Sequence, residues 1–199
     1  MVNSQIEKDP IREDILNGAH TLFQRFGFKK TTMEDIARQI GKSKSALYYY
    51  YKTKEEIFEA VVLRDMDCQR EVALNAIAEV ESAKDKFCLF FTSILQDVRR
   101  KANQFSLFRN DFFENPHLII NIAKQREEEV SELIKNLLIL GISRGEVKMM
   151  SAAEMEVWAK MVNITMRAIG SKLFLDEAFD DMEEHLPFMA EAIFCGVGK

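Results

Sequence analysis

Residues 53–81 contain neither glycine nor proline, and that uninterrupted stretch limits the chain more than any other feature of its sequence. Its first residues, Thr53-Lys-Glu-Glu56, form a capping-box pattern, in which a hydroxyl and a carboxylate satisfy the free N–H groups of a helix start. A helix continuing from there to Glu81 spans roughly 40 Å at 1.5 Å per residue, the length of a connecting rod between two modules. The rest of the sequence has the same bias. Only three prolines and eight glycines interrupt 199 residues, and Leu, Ile, Ala, Glu, Lys, Met and Phe dominate, so an all-α fold of about nine helices is expected.

The N-terminal helices are set off by their caps. Asp9 is placed as an N-cap before Pro10 at N1, and Ile11, Ile15, Ala19, Leu22, Phe23 and Phe26 recur at three- and four-residue spacing up to Gly27. Thr32-Met-Glu-Asp35 opens a second helix that packs through Ile36, Ala37 and Ile40 and stops at Gly41. Ser43 caps a third. Residues 32–51 therefore read as helix, glycine turn, helix, the pattern whose second helix enters the DNA major groove.

The third helix carries all four tyrosines of the chain, Tyr48, Tyr49, Tyr50 and Tyr51, bracketed by Lys42, Lys44, Lys52 and Lys54. A 100° step per residue divides them. Leu47, Tyr50 and Tyr51 share one side; Lys44, Ser45, Tyr48 and Tyr49 share another. The first can pack, while the second presents hydroxyls and ammoniums that suit the phosphates of double-stranded DNA. Charge points the same way: residues 1–54 hold ten Lys or Arg against six Asp or Glu, whereas residues 55–199 hold seventeen against twenty-six. A basic module on an acidic body fits a nucleic-acid binder with a separate second domain.

Residues 27–62, GFKKTTMEDIARQIGKSKSALYYYYKTKEEIFEAVV, resemble the DNA-binding region of TetR-type transcriptional regulators. The likeness rests on Phe26-Gly27-Phe28, the Thr31-Thr32 pair, Ile36-Ala37, the Gly41 and Ser43 turn, Leu47-Tyr48, the aromatic run, Lys52 and Lys54-Glu55-Glu56. It implies a DNA-binding domain at residues 1–52 and a helical ligand-binding and dimerisation domain at 53–199. It also implies DNA contacts from Thr31, Thr32, Lys42, Ser43, Lys44, Ser45, Tyr48, Tyr49, Lys52 and Lys54. Three residues depart from the family pattern: Lys42 stands at a usually apolar turn position, Ala46 at a frequently polar one, and Tyr51 where Phe is usual.

Further helices are expected at about 84–102, 105–113, 117–141, 152–174 and 180–195, with a third capping box at Ser151-Ala-Ala-Glu154. The resemblance implies a small-molecule effector held among the middle helices, and Phe87, Phe91, Phe108, Phe112, Trp158 and Met161 are candidate lining residues. Arg126 joins them because it falls on the apolar face of the 117–141 helix, where a guanidinium would meet an anionic ligand or a carboxylate. The 152–174 helix has two apolar stripes: Val157, Met161, Ile164 and Ala168 form one, and Trp158, Val162, Thr165 and Ile169 the other. Two buried faces require two partners, so this helix and the last one, around Leu186, Met189, Ile193 and Phe194, are expected to build a homodimer.

Cys68, Cys88 and Cys195 are scattered and odd in number, which fits a reducing cytoplasm and gives no metal knuckle. His20, His117 and His185 lie on separate expected helices, so no metal and no cofactor is expected. No run approaches the roughly 18 apolar residues that a membrane span needs, and the N-terminus has no apolar leader. The sequence reading is a ligand-responsive repressor acting on an inverted repeat. Its rivals are a helical adaptor and an all-α enzyme, the latter lacking any nucleophile, paired-carboxylate or phosphate-loop pattern.

Overall fold

The computed structural model describes residues 9–104, 124–175 and 182–198. Eight α-helices run through them: α1 (Pro10–Phe26), α2 (Met33–Gln39), α3 (Lys44–Tyr50), α4 (Lys54–Ala78), α5 (Ala83–Gln104), α6 (Glu127–Arg144), α7 (Ala152–Leu175) and α8 (Leu186–Cys195). The extended pairing among the described residues is a single bridge between Val147 and Gly198. The all-α expectation stands. The expected helix at 105–113, its residues Phe108 and Phe112, and His117 lie outside the described residues.

Two compact units divide the molecule, with the change falling within α4 between Asp65 and Met66. The first contains α1–α3 and the start of α4. The Asp9 carboxylate accepts from the Ile11 and Arg12 amides at 2.9 and 3.5 Å, and Pro10 follows at N1. Gly27 ends α1 with φ 83°, a conformation glycine adopts without steric cost. The core of this unit is small: Ile15, Ala19, Phe23, Ile36, Leu47, Ile57 and Phe58 are buried. Phe23, Phe28 and Phe58 meet there with ring centroids 5.1–5.6 Å apart. Gly18 matters for that packing, since a Cβ on it would fall 2.5 Å from Ile40 Cγ2, too close for the Ile40 side chain to stay where it is.

The second unit is built on α5, which packs on α6, α7 and α8. Phe87, Phe90, Phe91, Leu95, Ile134, Leu138, Val162, Leu173 and Leu186 are fully buried in one continuous core. Helix α6 differs from expectation at both ends. Arg126 (φ −101°, ψ 1°) interrupts the helical path and Glu127 begins α6, so no uninterrupted helix runs through this position. At the other end α6 continues through Gly141 to Arg144 and closes on Gly145 in the left-handed conformation. Gly141 stays within the helix because the missing side chain leaves room for Val147 and Ala83, which would lie 2.5 and 3.2 Å from a Cβ there. Pro187 marks a late start for α8: residues 182–185 form a 3-10 turn and Pro187 sits in the first turn of the helix.

Candidate nucleic-acid interface

Two local devices fix α2 and α3 relative to their turns. Thr32 Oγ1 accepts from the Asp35 amide at 3.2 Å while the Asp35 carboxylate accepts from the Thr32 amide at 3.1 Å, a complete capping box. The Thr32 hydroxyl also donates to Asp35 Oδ2 at 2.6 Å. These bonds hold the Asp35 carboxyl below the usual aspartate range, the hydroxyl contributing most. Gly41 turns the chain with φ 65°, and Ser43 Oγ accepts from the Ala46 amide at 3.2 Å to start α3.

The helical phase of α3 then sorts its side chains. Leu47 is fully buried and Tyr51 is 7% exposed, whereas Tyr49 is 78% and Tyr48 37% exposed. Tyr50 is half-buried; burial first, and then the nearby Asp9, push its hydroxyl above the ordinary tyrosine range. The Arg12 guanidinium lies 5.4 Å from the centre of the Tyr51 ring, and the Tyr49 and Tyr50 rings meet edge to face at 5.2 Å. Lys42, Ser43, Lys44 and Ser45 are exposed at the front of the same helix. One edge of α3 is therefore core, and the other is an open row of hydroxyls with ammoniums beside it.

The lysines differ in how they are engaged. Lys44 pairs with Glu34 of α2, which raises its pKa and lowers that of Glu34, and its ammonium lies 5.7 Å from the Tyr48 ring centre. Lys52 folds back to donate to the Tyr48 carbonyl at 2.9 Å. Lys54 points inward: its ammonium donates to the Phe28 carbonyl at 2.7 Å and lies 4.2 Å from the Phe28 ring centre, tying the start of α4 to the turn after α1. Thr53 Oγ1 accepts from the Glu56 amide at 3.2 Å, but the returning carboxylate takes the Lys52 amide instead, at 2.6 Å.

Thr31 is placed differently from its neighbour. It is 2% exposed, and its hydroxyl donates to the Gly27 carbonyl at 2.7 Å and the Leu22 carbonyl at 3.5 Å. Beside it an open groove of about 450 Å³ is lined by Leu22, Phe26, Lys30, Thr31, Asp35, Arg38 and Gln39. Residues Arg12, Lys30 and Arg38 were not singled out from the sequence. Tertiary packing brings Arg12 onto Tyr51; the count of basic residues was the available signal for the other two.

The candidate effector residues of the second unit separate as well. Phe87 and Phe91 are buried, and the Phe87 ring lies 5.3 Å from Trp158, 6.0 Å from Phe91 and 5.6 Å from Phe194. Met161 stands apart from them, 48% exposed on the opposite side of α7 with Val157, Ile164 and Ala168. The Arg126 guanidinium is engaged by carboxylates, donating to Asp67 Oδ2 at 2.7 Å and Glu129 Oε1 at 3.0 Å. On α8, Leu186 and Phe194 belong to the core of the second unit, and Phe188, 70% exposed, occupies the open side. The described residues contain no group of three or more His, Cys, Asp or Glu suited to a metal ion. None of the described helices is long and apolar enough to cross a membrane.

An all-α chain with a capped helix-turn-helix and an exposed hydroxyl row on its second helix belongs to the class of helix-turn-helix proteins. Residues 15–61 match the family model of bacterial regulatory proteins of the tetR family. The HTH-type transcriptional regulator YfiR of Bacillus subtilis is 26% identical over 180 residues, covering 88% of this chain and 86% of that protein. A transcriptional regulator from Cytophaga hutchinsonii superposes with a TM-score of 0.76 at 22% identity, covering 96% of this chain and all of the other. FadR of Thermus thermophilus, a TetR-family transcriptional repressor solved in complex with lauroyl-CoA, gives a TM-score of 0.67 at 17% identity over 92% of this chain and 93% of its own. Residues 15–61 therefore match the N-terminal segment of the tetR family, the fold is that of these solved structures, and these relatives carry the names of regulators rather than enzymes.

Proposed function

We propose that this protein is a cytoplasmic, homodimeric repressor that binds an inverted-repeat operator and leaves it when a small molecule occupies the helical body. The observation that carries the reading is the division of α3, with Leu47 and Tyr51 in the core and Lys42, Ser45, Tyr48 and Tyr49 open to solvent. Residues 1–52 would bind DNA, and residues 53–199 would hold the effector and the partner subunit.

The residues take three roles. Ser43, Lys44 and Ser45 begin the helix that enters the groove; Tyr48, Tyr49 and Lys42 reach phosphate oxygens; Thr32 anchors α2 beside the backbone. Thr31, Lys52 and Lys54 serve mainly to hold the module in shape, since their polar atoms are engaged within it. Lys44 must exchange or share Glu34 with a phosphate, which gives Glu34 a part in tuning affinity.

The dimer would form on the open side of α7 and α8. Val157, Ile164 and Met161 are 68%, 54% and 48% exposed, and Phe188 is 70% exposed, a set of large apolar side chains that a second copy would cover. Effector binding among the aromatic helices would move α4 and change the spacing of the two α3 helices. Consecutive half-sites demand about 34–36 Å, so a small displacement weakens the complex. FadR of Thermus thermophilus, solved with lauroyl-CoA, supports an effector with a long apolar part. Because Arg126 is already neutralised by Asp67 and Glu129, shape and apolar contact would govern selection more than that guanidinium.

A mobility-shift experiment with DNA from upstream of the gene tests the reading. Salt-sensitive retardation that Tyr48→Ala weakens supports it. Failure to retard any upstream fragment, with a folded dimer in hand, leaves the helical adaptor as the explanation.

A further inference from the structure

Helices α5 and α8 pack on each other. Lys84 Nζ lies 2.9 Å from Glu191 Oε1, and the Phe87 and Phe194 ring centroids are 5.6 Å apart. Both pairs share one offset along the two helices. Cys88 follows Phe87 on α5 and Cys195 follows Phe194 on α8, and both thiols lie within electrostatic reach of the Lys84 ammonium. Cys88 is half-buried and Cys195 is exposed in the last turn of α8, where the chain leaves the helix through Gly196. Nothing in DNA binding or dimerisation requires two thiols on this seam.

We infer that Cys88 and Cys195 form a thiol pair that hydroperoxides oxidise to an intrachain disulfide, locking α8 onto α5. The chemistry assigns a role to each sulfur. The accessible Cys195 sulfur attacks the O–O bond of hydrogen peroxide, giving a sulfenic acid and releasing one water. The Cys88 sulfur then attacks the sulfenic sulfur, losing its proton and expelling a second water, so two thiols are oxidised as one peroxide is reduced. Burial pushes the Cys88 thiol up to about 11, with Lys84 opposing the shift, and both Glu191 and Cys195 act on it electrostatically. A thiol held protonated is a poor first nucleophile, which makes Cys88 the resolving partner. Such a link in a reducing cell is transient and signals oxidant.

The consequence falls on the C-terminal helix. A covalent tie across a loop of this length restricts the unfolded chain and should raise the melting temperature by roughly 5 °C or more. It also limits how far α8, with Phe188 on its open side, can move relative to α5.

The full-length dimer is treated with hydrogen peroxide, and its peptides are mapped without reduction. The expected result is a Cys88–Cys195 linked peptide with the mass of two hydrogens lost, together with a higher melting temperature that dithiothreitol reverses. Cys68, exposed on α4, serves as the internal control and should stay alkylatable. Cys88→Ser should abolish the link and let Cys195 proceed to sulfinic acid. The inference is overturned if Cys195 joins only Cys195 of a second subunit, or if it accumulates sulfinic acid in the wild-type chain while Cys88 stays free.

Discussion

The two units solve the same problem, burying one side of each helix, and leave opposite surfaces behind. In the first, the residues left outside on α3 are tyrosine hydroxyls, serines and lysines. In the second, the residues left outside on α7 and α8 are Val157, Met161, Ile164 and Phe188. Water serves the first surface well and the second badly, so the first suits a charged partner met transiently and the second a permanent apolar one. What remains exposed after folding is more informative about partners than what is buried.

The strongest test of that contrast lies on α7. Replacing Val157 and Ile164 together with Glu should turn the dimer into a monomer in sedimentation and weaken operator binding by at least about a hundredfold, because an interface cannot bury unpaired carboxylates. The helical signal should stay. Next in size is the other side of the comparison: Leu47→Ala removes a fully buried side chain and should cost about 2–5 kcal/mol in chemical denaturation of the first unit. If Leu47→Ala were silent while Tyr49→Ala unfolded the module, the helical phase assigned to α3 would be wrong.

Smaller effects separate structure from contact. Lys54→Met removes the ammonium from the Phe28 carbonyl and should cost about 2 kcal/mol of stability. It should lower affinity only as far as the module loosens. Tyr49→Phe keeps the ring and loses the hydroxyl, so affinity should fall about fivefold with an unchanged melting curve. The smallest expected effect is acid sensitivity at α2. The Asp35 carboxyl is held below its ordinary value by Thr32, so its contribution is present above the unfolded aspartate range and is lost as pH falls below about 4. Thr32→Ala should flatten this part of the stability–pH profile, followed by circular dichroism.

Local rules made the helix starts of both units legible in the sequence. Asp9, Thr32, Ser43 and Ser151 each cap the helix their spacing foretold, since a cap depends only on residues three or so apart. The same holds for the phase of α3. Where a distant partner decides, the sequence is silent. Thr31 looks identical to Thr32 until the Leu22 and Gly27 carbonyls take its hydroxyl. Lys54 resembles any basic residue beside a DNA-reading helix until Phe28 draws it inward. Gly141 has the look of a helix end, yet it is a contact point for Val147 and Ala83. Helix α7 showed two apolar stripes, and only the packing on α5 and α6 reveals which of them the chain covers itself.

The proposed function requires the open face of α3 to meet the phosphates of duplex DNA. Fluorescence anisotropy of the purified protein on DNA from upstream of its gene, titrated across salt concentrations, addresses it most directly. The logarithm of affinity should fall linearly with the logarithm of salt, and Lys42→Ala should lower the slope by about one contact while the melting temperature holds. An affinity indifferent to salt, or a slope that Lys42→Ala leaves untouched, would contradict it.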